Sequence, residues 1–163
     1  MKKIILSSFI IILIGTLFSC NNECKFDQDQ ELTKIETILE KYVIANETQD
    51  LNLVKKIWAP LDDIVVFGTT SDEKLVGWDN IQAALEGQFK EFKETYIAVT
   101  DQVIKINETG NTAWFAEVIN YNFIYKGEPR SYEGVRFTGV MRKIEDEWYI
   151  VQSHMSVPDA AIE

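Results

Sequence analysis

A histidine near the end of the sequence is the residue best suited to proton transfer. His154 is the single histidine among 163 residues, and an imidazole changes charge near neutral pH without a perturbed environment. Residues 148–156 read as a strand, so their side chains alternate between two faces. His154 then shares a face with Ile150 and Gln152. We expect this face to point inward, because the opposite face would bring no polar group inside except Ser153.

A carboxylate and a guanidinium occur on two further predicted strands. Glu117 alternates in register with Phe115, Ile119, Tyr121 and Phe123, and Arg136 alternates with Thr138 and Val140. If both registers point inward, a pocket would hold an imidazole, a carboxylate and a guanidinium among aromatic walls. Such a mostly apolar site with a few convergent polar groups is typical of small-molecule binding.

Structural roles for the same residues remain open. His154 also fits a buried histidine satisfied by a backbone or hydroxyl partner. Glu117 and Arg136 also fit a buried ion pair without a ligand, and such a pair adds little stability because desolvation offsets its Coulomb energy. The tryptophans, among them Trp58, also fit the core, where large indoles usually pack. The predicted ligand-binding residues are Tyr42, Trp58, Phe67, Glu117, Tyr121, Arg136, Thr138, Gln152 and His154, with His154 as the candidate catalytic residue.

Charge and composition exclude several classes of function. The chain has 16 Lys and Arg against 26 Asp and Glu, so its net charge of −10 disfavours nucleic acid as the partner. One histidine and two cysteines cannot build a zinc site of three histidines or four cysteines. The sequence contains no glycine-rich phosphate loop, no nucleophile elbow and no metal motif. We therefore predict no cofactor and no metal.

The N-terminal 19 residues are expected to form an export signal. Lys2 and Lys3 precede an apolar run over residues 4–18, which is too short for a spanning helix. Leu17-Phe18-Ser19-Cys20 resembles the lipobox of bacterial lipoproteins, in which the cysteine is acylated; an ordinary signal cut before a cysteine is the alternative. Polar residues 20–30 would then form a tether that holds the domain off the membrane. We expect an envelope lipoprotein attached only through acylated Cys20, on the periplasmic side or the cell surface.

The remaining residues, 31–163, show helix periods first and strand periods afterwards. Apolar residues from Leu32 to Asn46 recur at three and four residues, as in an amphipathic helix. Asp50 can cap a second helix that Pro60 stops, and a third helix follows Gly77. Residues 64–67 are predicted to form a short buried strand. A period of two then marks four runs over residues 96–106, 112–125, 131–144 and 148–156. The order predicts one α+β domain in which a curved, mainly antiparallel sheet wraps a long helix.

Three stretches resemble the nuclear transport factor 2-like (NTF2-like) superfamily, and within it the SnoaL-like group that includes the association domain of calcium/calmodulin-dependent kinase II. They are residues 66–77, Thr112-Ala113-Trp114-Phe115, and the terminal segment 148–158 with its tryptophan, histidine, serine and proline. The resemblance covers residues 30–160. It implies a cone of three helices inside a strongly bent sheet and an inward-facing His154. Because this fold hosts enzymes, binding modules and assembly domains, it does not define the chemistry.

Three functional hypotheses follow. The first is a lipid-anchored protein whose cone binds a small organic ligand, with Arg136 favouring a carboxylate. The second is a small enzyme in which His154 acts as general acid or base. The third is an assembly module, a homodimer formed through the outer sheet face. The apolar patch for that dimer is expected to consist of Tyr149, Val151, Phe137 and Met141.

Overall fold

Three helices and a six-stranded sheet make up the described part of the computed structural model, residues 26–158. The export signal, Cys20 and most of the predicted tether lie outside these residues. The elements are α1 (Gln28–Thr48), α2 (Leu51–Ile57), β1 (Val65–Phe67), β2 (Lys74–Val76), α3 (Trp78–Glu91), β3 (Phe92–Ile106), β4 (Thr112–Tyr125), β5 (Glu128–Ile144) and β6 (Glu147–Ser156). None of the helices within these bounds has the length and hydropathy needed to cross a membrane.

Aspartates begin the first two helices. The Asp27 side chain accepts a hydrogen bond from the Gln30 backbone N–H at 3.1 Å, so Gln28 to Gln30 belong to α1 and not to the predicted tether. The predicted Asp50 cap is confirmed, since its carboxylate accepts from two backbone N–H groups at the start of α2. Such caps satisfy N–H groups that have no partner within the helix. The two caps therefore set the residues at which α1 and α2 begin.

The sheet has the strand order β2-β1-β6-β5-β4-β3. Strands β3 to β6 form the predicted antiparallel meander. β1 runs parallel to β6, and the short strand β2, which periodicity did not predict, pairs antiparallel with β1. The sheet is therefore mixed, and β1 lies beside residues 152–154 of β6.

A bulge changes the face on which the side chains of β6 lie. In β6, Val151 is an extra residue opposite the Val140–Met141 step of β5. Ile150 therefore lies on the inner face together with Ser153, at 0% and 2% exposure, although the two are three positions apart and a regular strand would place them on opposite faces. A β-bulge produces this shift because two residues oppose one. Consequently His154 is exposed, and the prediction that it faces inward was wrong.

The inner register of β5 is also the opposite of the predicted one. Glu117 pairs directly with Phe137, and directly opposed residues share a face, so Phe137 is buried and Arg136 is exposed. Phe137 and Met141, predicted to lie in an outer dimer patch, are core residues at 0% exposure. The Phe137 ring stacks on Tyr42 of α1 with 4.7 Å between centroids. The inner face of β4 agrees with the prediction, since Phe115, Glu117, Ile119, Tyr121 and Phe123 are all buried.

A buried polar cluster fastens the start of α1 to the last hairpin. The Trp148 indole N–H donates to Glu31 at 2.6 Å, and Lys143 and Lys34 form ion pairs with the same carboxylate at 3.0 and 2.9 Å. Glu31 is only 3% exposed, so three donors satisfy a charge that water barely reaches. This cluster holds α1 across the sheet, where it closes one side of the cone.

Candidate functional site

A cavity of about 320 Å³ lies between the helices and the inner face of the sheet. α1 contributes Tyr42, the end of α2 contributes Trp58, and α3 contributes Gln88. The sheet contributes Tyr121 from β4 and Ser153 from β6. Most other lining residues are apolar: Val66, Leu75, Ile81, Ala84, Leu85, Phe92, Ile119, Val135 and Met155.

Two of the three tyrosines that line the cavity, Tyr42 and Tyr121, are buried and held in their protonated form, whereas Tyr132 is 46% exposed. Burial raises the pKa of Tyr121 to about 12, and the Gln88 amide donates to its hydroxyl oxygen at 2.9 Å. Burial also raises the pKa of Tyr42, with further contributions from Tyr121 and Glu117. A neutral phenol is a hydrogen-bond donor as well as an acceptor. Gln88 and Thr95 are the side-chain hydrogen-bond partners of Tyr121, and its neutral hydroxyl can donate as well as accept.

Two more donors belong to the cavity wall. Trp58 is 4% exposed, and its indole N–H has no acceptor among residues 26–158. Ser153 is 2% exposed and offers a hydroxyl from β6. An indole N–H is a donor only, and a buried one usually finds a partner. The polar groups of the cavity therefore favour a molecule that accepts hydrogen bonds.

The charged residues of the lining are all acidic. Glu73 and Glu91 are present, whereas the residues that line the cavity include no Lys, Arg or His. Arg136 lies on the outer face of the sheet and supplies no cation to the cavity. The expectation that Arg136 selects a carboxylate-bearing ligand is therefore wrong.

Four predicted site residues lie on the outer face of the sheet together with Arg136. Phe67 is 42% exposed, and its ring lies edge-on to the His154 imidazole with 6.2 Å between centroids. Thr138 pairs with His154 across β5 and β6, and Gln152 lies two residues before His154 on the same strand. The sheet separates these side chains from the cavity. His154 therefore cannot act as acid or base on a molecule bound there.

Three predicted residues, Tyr42, Trp58 and Tyr121, do line the cavity together. Glu117 is buried at 3% exposure but lines a separate groove between α1 and β3, where Gln102 donates to it. The predicted Glu117–Arg136 ion pair does not form, because the two residues lie on opposite faces.

Gln88 and Ser153 were missed as site residues. Gln88 stands on the apolar stripe of α3 with Ile81 and Leu85, so a polar residue on a buried helix face was the available signal. Within residues 26–158, no group of three or more His, Cys, Asp or Glu side chains is placed to hold a metal ion.

Solved structures of other proteins share this architecture. A nuclear transport factor 2-like superfamily protein from Salmonella enterica has a TM-score of 0.74 at 18% identity, over 83% of this chain and 96% of its own. A Novosphingobium aromaticivorans protein provisionally described as a scytalone dehydratase gives 0.69 at 16%, over 80% and 85%. A Xanthomonas campestris protein provisionally described as a calcium/calmodulin-dependent protein kinase II association domain gives 0.68 at 19%, over 83% and 91%. None of the curated proteins matches the sequence.

The curved sheet and the three helices, with a cavity between them, define the NTF2-like fold. Within that fold, the profile of the SnoaL-like domain matches residues 35–160. The chain belongs to the SnoaL-like domain family, as the resemblance in its sequence indicated.

Proposed function

We propose that the cone cavity binds a small, uncharged and largely apolar organic molecule that accepts hydrogen bonds, such as an aromatic ketone. The observation that carries the proposal is the lining itself: apolar walls, several hydrogen-bond donors and no cation around about 320 Å³. This volume lies at the lower end of the range for small-molecule pockets. Glu73 and Glu91 repel anions, so an acid of the same shape should bind less well.

A matched ligand pair tests this proposal. We expect 2-acetonaphthone to raise the melting temperature in a thermal-shift assay and 2-naphthoate, which has a similar size but a negative charge, to do so much less. Tyr121→Phe should weaken ketone binding by about threefold to tenfold, the value of one net hydrogen bond. Tyr96→Phe, at a tyrosine that is 62% exposed, is the control. Equal binding of ketone and acid would refute the proposal.

We infer that this domain is displayed in the bacterial envelope by a lipid on Cys20. The support is sequence alone: two lysines, an apolar run and Leu17-Phe18-Ser19-Cys20. Acyl chains contribute about 0.8 kcal/mol per buried CH2, so several chains hold a protein where one does not. The domain would then bind its ligand outside the cytoplasm.

A homodimer through the outer sheet face is a second proposal. Exposed Trp114 and Val103, at 51% and 50%, lie on adjacent strands, and Ala116, Val118 and Val140 surround them. An exposed apolar patch on a sheet face favours association with an equal surface. We expect sedimentation velocity to show a dimer that Trp114→Asp converts to a monomer and Val76→Asp, on the distant strand β2, leaves intact. A wild-type monomer would refute it.

A further inference from the structure

A second depression, the acidic groove, lies between α1 and β3 and has a volume of about 430 Å³. Its α1 side is one helix face, because Glu36, Glu40 and Ile44 follow one another at intervals of four residues. Glu36 and Glu40 are exposed, and Ile44 is 48% exposed. Its β3 side presents Val99 and Gln102, and Glu117 of β4 lies on its floor. The groove therefore combines three carboxyl groups with an apolar wall.

A bulge in β3 brings Gln102 over Glu117. Thr100 and Val103 pair with Val118 and Ala116, so Asp101 and Gln102 together oppose the single residue Glu117. Asp101 adopts a φ of 52°, which an L residue rarely takes. The Gln102 amide donates to Glu117 Oε2 at 2.7 Å. Bulges often re-aim side chains at functional sites.

Glu117 is incompletely satisfied. It is 3% exposed, and its Oε1 atom has no hydrogen-bond partner among residues 26–158. A buried carboxylate oxygen without a donor costs free energy, and nothing in the core requires a carboxylate at this position. The residues that line the groove include no Lys or Arg to compensate it. The missing partner is thus a donor, and a positively charged donor would be favoured by Glu36 and Glu40 as well.

We propose that the acidic groove binds an aliphatic primary ammonium, with its nitrogen at Glu117 and its alkyl chain along Val99 and Ile44. The Gln102 amide would keep its hydrogen bond to Oε2, and the ammonium would donate to the unsatisfied Oε1. An ammonium fits better than a guanidinium, which prefers two carboxylate oxygens at once, because Gln102 already occupies Oε2. Glu36, Glu40 and Glu117 do not converge into a metal-binding group. This inference does not depend on the cone cavity.

Titration calorimetry of the wild-type chain with n-butylammonium chloride tests the proposal, with 1-butanol as the uncharged analogue. We expect one ammonium per chain and binding of 1-butanol at least about tenfold weaker. Glu117→Gln should weaken ammonium binding by about tenfold or more, as for a hydrogen bond to a charged group. Glu108→Gln, at an exposed carboxylate in the β3–β4 turn, should bind as the wild type does.

Glu117→Gln removes a buried charge and keeps the side-chain shape, and circular dichroism checks its fold. If it does not fold, Ile44→Lys gives the same information, because it places a cation in the groove from an exposed helix position. Ile44→Lys should abolish binding. Tyr121→Phe should leave ammonium binding unchanged, which separates this site from the cone cavity. Absent binding to the folded wild type, equal binding of 1-butanol, or equal loss in Glu108→Gln and Glu117→Gln would each overturn the proposal.

Discussion

Glu31 and Glu117 are equally buried, at 3% exposure, yet the protein shifts their pKa values in opposite directions. Burial raises the pKa of Glu117, and the neutral Gln102 amide offsets only part of that effect. Burial would also raise the pKa of Glu31, but hydrogen bonds from Lys34, Lys143 and Trp148 lower it to about 2. The charge of the donors makes the difference, since charged donors stabilise a carboxylate more strongly than neutral ones. Glu31 is therefore a structural anion.

Glu31→Gln should destabilise the protein in a pH-dependent way. The folded-state pKa of about 2 lies below the ordinary value of 4.5, so the carboxylate stabilises the fold above pH 4.5. This contribution is lost as pH falls from 4.5 towards 2. We expect a loss of about 2 kcal/mol at pH 7, measured by urea unfolding, and almost none near pH 2.

Glu36→Gln is the matched control for this measurement. Glu36 lies on the same helix but is exposed, so its substitution should change the unfolding free energy little at any of these pH values. A Glu31→Gln penalty of the same size at pH 7 and near pH 2 would contradict the role assigned to the Glu31 charge.

At the scale of strands and helices, alanine substitutions at two glycines should change the stability of the fold in opposite directions. A Cβ at Gly139 of β5 would lie 2.6 Å from the Gln152 carbonyl oxygen and 2.6 Å from the Phe115 ring. Gly139→Ala should therefore destabilise the fold by about 1–3 kcal/mol, the usual cost of overpacking. Gly87 of α3 has no atom within 4 Å of such a Cβ, so Gly87→Ala should stabilise by up to about 1 kcal/mol.

Chemical denaturation of Gly139→Ala and Gly87→Ala measures the two changes in unfolding free energy. The opposite signs are informative because the substitution is chemically the same and only the surroundings differ. A stabilised Gly139→Ala variant would mean that the Phe115 ring does not pack against β5 as described.

Bulges explain which parts of the fold could be predicted. Periodicity located α1, α2, α3 and the four long strands, because each is long enough to show a repeating apolar pattern. It placed Ile150 correctly but put Gln152 and His154 on the wrong face, because a strict period of two assumes no extra residue and Val151 is one. The strand β2 is only three residues long, which is too short to show a period.

The candidate site could likewise be predicted only in part, on its helical elements but not on its strands. Tyr42 and Trp58 sit on helical elements whose buried face the sequence shows, and they do line the cavity. Arg136 and His154 depended on the registers of β5 and β6, which require knowledge of strand pairing. Polar residues on strands are thus the least predictable part of a site in a bulged sheet. A buried polar residue such as Ser153 was recognisable only as the alternative to His154.

For the whole molecule, the fold constrains the shape of the site and leaves its chemistry to a few side chains. The same cone occurs in proteins with different descriptions at 16–19% identity. In this chain hydrogen-bond donors line the cavity, and carboxyl groups line the acidic groove between α1 and β3. The cavity therefore favours a neutral ligand that accepts hydrogen bonds, and the acidic groove favours a cationic ligand that donates them. The two regions can be tested independently with ligands of different charge.

If the proposed lipid anchor exists, the location of the whole molecule depends on Cys20. The chain has a net charge of −10, so an anionic lipid surface would repel the domain and only a covalent lipid would hold it there. In a bacterial host that exports and acylates lipoproteins, the wild-type chain should fractionate with membranes. Cys20→Ser should shift most of it to the soluble fraction, because the acyl chains supply the attachment. Cys24→Ser, four residues further on, should remain with membranes, whereas equal behaviour of both variants would refute anchoring through Cys20.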